Sequence, residues 1–370
     1  MGAKIDFVDG IHTLAYSDAD GCANSSVAIH IYMANADMDG RCFVNSDGDF
    51  LIVPQEGSLS IMTEFGLLIV EPNEIAVLQQ GMKFRVSSLA SQIRGYILEV
   101  KGNHFELPNL GPIGANGLAN PRDFLIPKAR LDQVSLTQPT IIINKFQNEL
   151  FAAEMAGSPF DVAAWFGNYT PYKYPLEKFV SVNSVSVDHP DPSIYTVLTC
   201  PSIGKVGTAL ADFVIFPPHW ECAKDTFRPP YFHRNCMTEF MGLIKGKYQA
   251  KSSEFAPGGG SLHQAMIPHG PDAESFLAAL KEDTSKPRRV GDGTMAFMFE
   301  TSCTLKLTDW ARSRNVDANY QECWKKLSDL KGQELSTKTY NCRNDPSSNS
   351  ARRSSPASIR REVCTYDKNE

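Results

Sequence analysis

From Gly48 to Val86 the chain reads GDFLIVPQEGSLSIMTEFGLLIVEPNEIAVLQQGMKFRV, and this stretch constrains the fold more than any other. Its apolar pieces are Phe50–Val53, Leu59–Met62, Leu67–Val70, Ile75–Leu78 and Phe84–Val86, with Tyr96–Val100 continuing the series. Each piece is closed by Gly, Pro or Asn before a helical period can develop. Short apolar runs at regular spacing with turn residues between them point to a β-sandwich or barrel of the jelly-roll kind. Val27–Met33 and Thr140–Asn144 read as further strands, and Phe146–Met155 fits a strand or a short helix. A second β-rich half begins near Phe179, with strands expected over Val180–Val187, Tyr195–Leu198 and Phe213–Phe216, and Thr294–Glu300 reads as a buried apolar run. Helical spacing is confined to Pro159–Phe166, to Asp272–Lys281 with its acidic first turn, and to Trp310–Leu330. The expectation is a mainly β chain with an N-terminal β-domain over 1–175 and a C-terminal one over 176–332. Residues 333–370, rich in Ser, Asn and Arg and poor in apolar side chains, read as a disordered tail.

Composition removes several function classes. At 370 residues the chain has room for two ordinary domains and a tail. A net charge of −6 leaves no basic footprint for nucleic acid. No apolar run approaches the roughly 20 residues that span a bilayer, and Met1–His12 has no apolar leader core. The nine cysteines are scattered without a CxxC pair, which reads as reduced thiols in a cytoplasmic protein. Cys236 reads as a buried bystander.

The chemistry concentrates between Phe227 and Asp272. There FRPPYFHRNCMTEFMGLIKGKY is followed by a polar, Gly-rich link and then by PGGGSLHQAMIPHGPD. His233 and Glu239 are six residues apart, and His269 follows thirty residues after Glu239. Two imidazoles and one carboxylate on one side of an ion suit Fe(II) and leave its other positions open. An even separation places His233 and Glu239 on the same face if both lie in one regular strand. His263 and His269 follow a Gly-Gly-Gly turn, and Tyr231 and Tyr248 bracket the His–Glu pair. A zinc hydrolase can use the same donors, although no HExxH helix is present. His189, in Asp188-His189-Pro190-Asp191-Pro192, is either a cap-like surface residue or a proton-transfer group oriented by Asp188. The loop His104–Lys128 either lines a site or connects the two halves.

Several segments also carry a family resemblance: NSDGDFLIVPQ, HFELPNLGPIGANGLANPRDFLIPKA, NYTPYKY, DHPDPSIYTVLT, ADFVIFPP, FRPPYFHRNCMTEFMGLIKGKY, PGGGSLH, PHGPDA and DGTMAFMFE. Together they resemble the homogentisate 1,2-dioxygenase family over about Ile5 to Trp324. The resemblance implies a two-domain cupin (germin-like, double-stranded β-helix) architecture with Fe(II) in the C-terminal domain. It implies that His233, Glu239 and His269 ligate the iron and that His189 is the acid–base residue. It implies that Tyr248 and His269 contact the substrate, with Tyr231, Lys251 and His263 in the same pocket. The implied reaction joins homogentisate and O2 to give 4-maleylacetoacetate, in tyrosine and phenylalanine catabolism, by a hexamer built from two trimers.

Three departures from the family pattern stand out. The match begins near Ile5, where relatives carry a preceding segment. Without that segment, sheet edges and apolar surface are expected to be exposed. Phe166 follows Trp165 where His is usual, and the tail after about Leu330 has no family counterpart. The alternative functional reading is a silent homologue that acts only as a binding or assembly partner. A cupin metalloenzyme of another reaction, such as an isomerase, is disfavoured by Tyr248 and the PHGPD segment.

Overall fold

The computed structural model describes residues 3–18, 25–109, 118–130, 132, 138–160, 169–181, 195–222, 224–225, 227–228, 231–251, 255–314 and 316–328. These all fall in one compact unit, Met1–Lys331; the tail expected over 333–370 lies outside the described residues. The mainly β class expected from the sequence is observed. Among the described residues no helix is long and apolar enough to cross a membrane.

Three sheets stack on one another. The middle sheet has seven strands in the order Tyr172–Pro175, Glu74–Leu78, Asp49–Glu56, Ile93–Lys101, Ser26–Ala34, Ile11–Tyr16 and Lys306–Leu307. A six-stranded sheet covers one face. Its order is Glu149–Met155, Thr140–Phe146, Arg41–Asn45, Lys83–Ser88, Leu59–Thr63 and Gly66–Val70. Pairing in both is antiparallel except for Arg41–Asn45 against Thr140–Phe146, which run parallel. Phe146–Met155, open to two readings in the sequence, is the second arm of a β-hairpin.

Strand alternation decides which core each side chain enters. Leu51, Val53, Ile75, Val77, Leu98 and Val100 point to one side of the middle sheet and join one cluster. Their neighbours Phe50, Ile52, Ala76, Leu78 and Ile97 point to the other side and pack against the six-stranded sheet. Burial on both faces explains why these strands read as continuous apolar runs rather than as alternating ones.

The first cluster is completed by the C-terminal half. A five-stranded sheet has the order Tyr195–Pro201, Ala209–Phe216, Met295–Thr301, Thr238–Lys245 and Gly260–His263. Its Phe213, Phe240, Phe297 and Phe299 face the middle sheet. Burying each such ring contributes about 1.5–3 kcal/mol. Tyr96 of the middle sheet stands edge-on to Phe297 at 4.8 Å, and its hydroxyl donates to the Gly259 carbonyl at 2.8 Å.

The glycine run is where tight packing forces the sequence. Gly258 has φ +87°, a conformation that side chains disfavour. A Cβ on Gly260 would lie 2.5 Å from the Phe240 ring. The helix expected over Asp272–Lys281 spans Ala273–Ala279, with the Asp272 carboxylate capping Ser275 N–H at 2.8 Å. Trp310–Leu330 resolves into short pieces: Asp309–Arg314, a 3-10 turn at Tyr320–Trp324, and Lys325–Ser328. The strand expected over Val180–Val187 and the helix over Pro159–Phe166 lie mainly outside the described residues.

Candidate metal centre

The alternation that buries Phe240 turns its neighbour Glu239 to the opposite face of the five-stranded sheet, away from the core. Glu239 is paired across the strands with His263 on one side and Glu300 on the other. That face floors a cavity of about 560 Å³, whose lining includes His233, Glu239, His269, Tyr248, Lys251 and Glu300.

The placement of His233 differs from the parity argument. The strand begins only at Thr238, so His233 and Glu239 do not share one regular strand. His233 lies instead in the preceding segment and pairs with His269. Its N–H donates to the His269 carbonyl at 2.9 Å, and the His269 N–H returns to the His233 carbonyl at 3.1 Å. This two-residue bridge sets the imidazole centroids 4.5 Å apart. The chain between His233 and His269 is thus closed by backbone bonds around Glu239.

The three donors then converge, with one ligand atom from each of His233, Glu239 and His269 lying within 4.8 Å of the others. His269 Nε2 is 2.7 Å from Glu239 Oε2, and His233 Nε2 is 4.0 Å from Glu239 Oε1. The tautomers are set from behind. His233 Nδ1 donates to the Tyr231 carbonyl at 2.7 Å, and His269 Nδ1 donates to the Ile267 carbonyl at 2.9 Å. With Nδ1 committed to a carbonyl, Nε2 is the atom each ring turns to the common centre. That of His269 hydrogen-bonds to Glu239 and would give up its proton to hold a metal, with the Nδ1 bond as the outer support that metal-binding histidines ordinarily have. Burial works to raise the Glu239 carboxyl, but hydrogen bonds from His269 and Asn235 outweigh it and hold the group below the usual carboxylate range. The residues present therefore fit a divalent metal held by two imidazoles and one carboxylate.

A second layer runs from His263. Its ring stacks on His269 with centroids 4.2 Å apart and planes 5° from parallel. Burial, then the charges at His269 and Lys251, push its pKa down to about 4, so it is neutral at pH 7. Tyr320 Oη lies 3.1 Å from His263 Nε2 and 3.0 Å from Lys251 Nζ. A lysine only donates, so the tyrosine oxygen accepts from Lys251 and links it to His263. Lys251 is buried, and its ammonium also rests over the Tyr320 and Trp324 rings at 4.8 and 4.2 Å. Among the described residues no carboxylate pairs with it. Tyr248 is buried beside Phe216, and burial raises its phenol above the ordinary range. Tyr231, more exposed, stands edge-on to His233 at 6.2 Å.

Every pocket residue expected from the sequence that falls among the described residues lines this one cavity: His233, Glu239, His269, Tyr248, Tyr231, Lys251 and His263. His189 and Phe166 lie outside the described residues. Cys236 corrects an expectation, because it is exposed at the cavity rather than buried. It sits in the irregular segment before the strand, where no core covers it. Four residues were not singled out in the sequence: Asn235, Glu300, Tyr320 and Trp324. Glu300 carried a usable signal, since it ends the apolar run MAFMFE one residue after the core Phe299. Burial, with the charges of Glu239 and Asp212, pushes its carboxyl up to about 7.

Comparison with known proteins follows the same outline. A family model described as the homogentisate 1,2-dioxygenase N-terminal region matches residues 1–176, and one for the C-terminal region matches residues 177–331. The human homogentisate 1,2-dioxygenase is 59% identical over 326 residues, covering 88% of this chain and 72% of that one. The Caenorhabditis elegans homogentisate 1,2-dioxygenase is 56% identical over 323 residues, covering 87% and 72%. Among solved structures, a cupin 2 conserved barrel domain protein from Leptotrichia buccalis aligns at 7% identity and a TM-score of 0.30, over 78% of this chain and 89% of that one. On the family match and these identities, the chain belongs to the homogentisate 1,2-dioxygenase family.

Proposed function

We propose that this chain binds Fe(II) at His233, Glu239 and His269 and uses it to open the ring of homogentisate with O2, giving 4-maleylacetoacetate. Both oxygen atoms enter the product, so substrate and O2 balance it without a further reductant. The convergence of two Nε2 atoms and one carboxylate at the floor of a cavity, in a chain of this family, carries the reading. Fe(II) bound there supplies open positions for a ring hydroxyl and for O2 and lowers the proton affinity of the bound hydroxyl.

The protein's own groups do the rest. Lys251, a buried ammonium without an acidic partner among the described residues, is the cation for the acetate arm. Tyr248 orients the ring by packing and through its hydroxyl. Neutral His263, held by Tyr320 and stacked on His269, fixes that ligand ring from the side. His189 is assigned as the acid–base residue for the hydroxyl proton on the strength of the family resemblance. The same proposal includes two domains meeting near residue 175, a role in tyrosine and phenylalanine catabolism in the cytoplasm, and assembly as a hexamer of two trimers. Sedimentation velocity tests the assembly.

Oxygen uptake by protein reconstituted anaerobically with Fe(II) tests the chemistry. Uptake on adding homogentisate, matched one-to-one by maleylacetoacetate, is the expected result. Stoichiometric iron with no uptake overturns the assignment of substrate, and favours the silent, partner-binding reading.

A further inference from the structure

Glu239 and Glu300 stand directly opposite one another on neighbouring strands, both on the cavity face and both buried. Like charges in that position oppose pairing of the strands. The group between them is the side-chain amide of Asn235. Its Nδ2 donates to Glu239 Oε1 at 2.6 Å and to Glu300 Oε1 at 2.9 Å. An amide nitrogen has two protons, so each carboxylate receives one. The amide cannot be turned over without loss, because Oδ1 accepts the Met237 N–H at 3.0 Å. The Asn235 backbone is fixed in turn, its carbonyl accepting the Met266 N–H at 2.7 Å. One oxygen of Glu239 is thereby taken up. The other, Oε2, is the oxygen that meets His269 Nε2 at 2.7 Å.

We propose that Asn235 is the positioning residue of the metal centre, reserving Glu239 Oε1 and presenting Oε2 as the ligand atom, with Glu300 as its second anchor. The inference rests on the metal-binding reading above and adds to it which carboxylate oxygen serves and what holds it. An asparagine that only relieved repulsion between two acids would stabilise the fold without changing how strongly the metal is held. A positioning residue changes the affinity itself, because a ligand free to rotate must be ordered on binding; removing such outer partners costs about 10–100-fold in metal affinity.

The test is Fe(II) affinity, measured anaerobically against a competing chelator, together with the rise in Tm that Fe(II) produces. Wild type, Asn235→Ala, Glu300→Leu and Glu300→Gln are compared. Asn235→Ala is expected to bind Fe(II) about 10–100-fold more weakly and to show a smaller Fe(II)-induced rise in Tm, since that rise follows the affinity. Glu300→Leu is expected to lose less, and Glu300→Gln, which keeps an acceptor oxygen, to recover most of that loss. Should the alanine variant not fold, the two Glu300 variants carry the test. Asn235→Ala with wild-type affinity, or Glu300→Gln as weak as Glu300→Leu, overturns the positioning role while leaving the metal reading intact. A wild type that binds no Fe(II) overturns both.

Discussion

Two buried carboxylates in this molecule keep nearly the same company. Glu99, between the seven- and six-stranded sheets, is met by a histidine, an asparagine and a lysine: His30 Nε2 at 3.2 Å, Asn45 Nδ2 at 2.8 Å and Lys145 Nζ at 2.7 Å. Glu239 is met by a histidine and an asparagine as well, with His233 nearby. The difference lies in what each group has left over. His30 uses both ring nitrogens, since Thr13 Oγ1 takes Nδ1 at 2.9 Å. His233 spends only Nδ1, on a backbone carbonyl, with its Nε2 4.0 Å from Glu239, while His269 spends Nδ1 on a carbonyl and turns Nε2 to Glu239 at the centre. Glu99 is fully buried and faces a lysine ammonium, whereas Glu239 opens on a cavity. One cluster is closed and serves stability; the other is left short of partners and can take a metal. Residue types alone do not distinguish them; the lysine that closes one cluster and the cavity on which the other opens do.

The sharpest way to break the comparison is to exchange its histidines. His233→Ala is expected to lose Fe(II) and turnover to background while the fold persists. His30→Ala is expected to keep stoichiometric iron but to lower stability by about 1.5–3 kcal/mol, the worth of a hydrogen bond to a charged group. Iron analysis and chemical denaturation of the two variants check this; iron loss from His30→Ala would merge the clusters.

The next effect is a pH dependence belonging to Glu99. Burial works to raise its carboxyl, but the hydrogen bond and charge of His30, with the charges of Lys145 and Lys101, hold it down at about 2. A carboxyl whose folded pKa is depressed stabilises fully above its unfolded value, near 4.5, and loses that contribution as pH falls towards 2. The expected loss is about 3 kcal/mol across that window. Glu99→Gln should flatten this limb of the stability curve, read from urea midpoints at each pH.

The smallest effects sharpen the open cluster. Lys251→Met is expected to raise KM for homogentisate by about 10–100-fold, the loss of a charge-assisted bond of roughly 1.5–3 kcal/mol, with iron content unchanged. Tyr320→Phe, which only uncouples Lys251 from His263, should cost about 1 kcal/mol and a several-fold change. Steady-state kinetics distinguish the two.

Much of the fold was legible because turn residues act locally. Gly57, Pro72 and Gly81 separate strands within Phe50–Val86 and Gly66 opens one, whereas Pro54 lies inside the strand Asp49–Glu56 beside a register shift, so that strand runs three residues past Val53. The metal donors were legible as residue types at a suggestive spacing. The parity argument failed because it assumed that regular strand extends back to His233, and the strand starts at Thr238. Asn235 and Glu300 were missed because their contact joins positions 65 apart in the chain. Tyr320 was missed because its partner His263 is 57 residues away, beyond any local pattern.

The sequence by itself determined the β class, the cores' supply of apolar runs, the glycine turn before His263 and the residue types of the candidate metal donors. These follow from backbone preference and side-chain chemistry, which each residue carries wherever it lies. Tertiary structure alone decided that one sheet is buried on both faces and that His233 meets His269 through a backbone bridge. It also decided that Asn235 fills one oxygen of Glu239, and that the Glu99 cluster closes while the Glu239 cluster stays open. Each of these depends on which distant groups arrive to spend a lone pair or cover a face, and that is fixed only when the sheets pack.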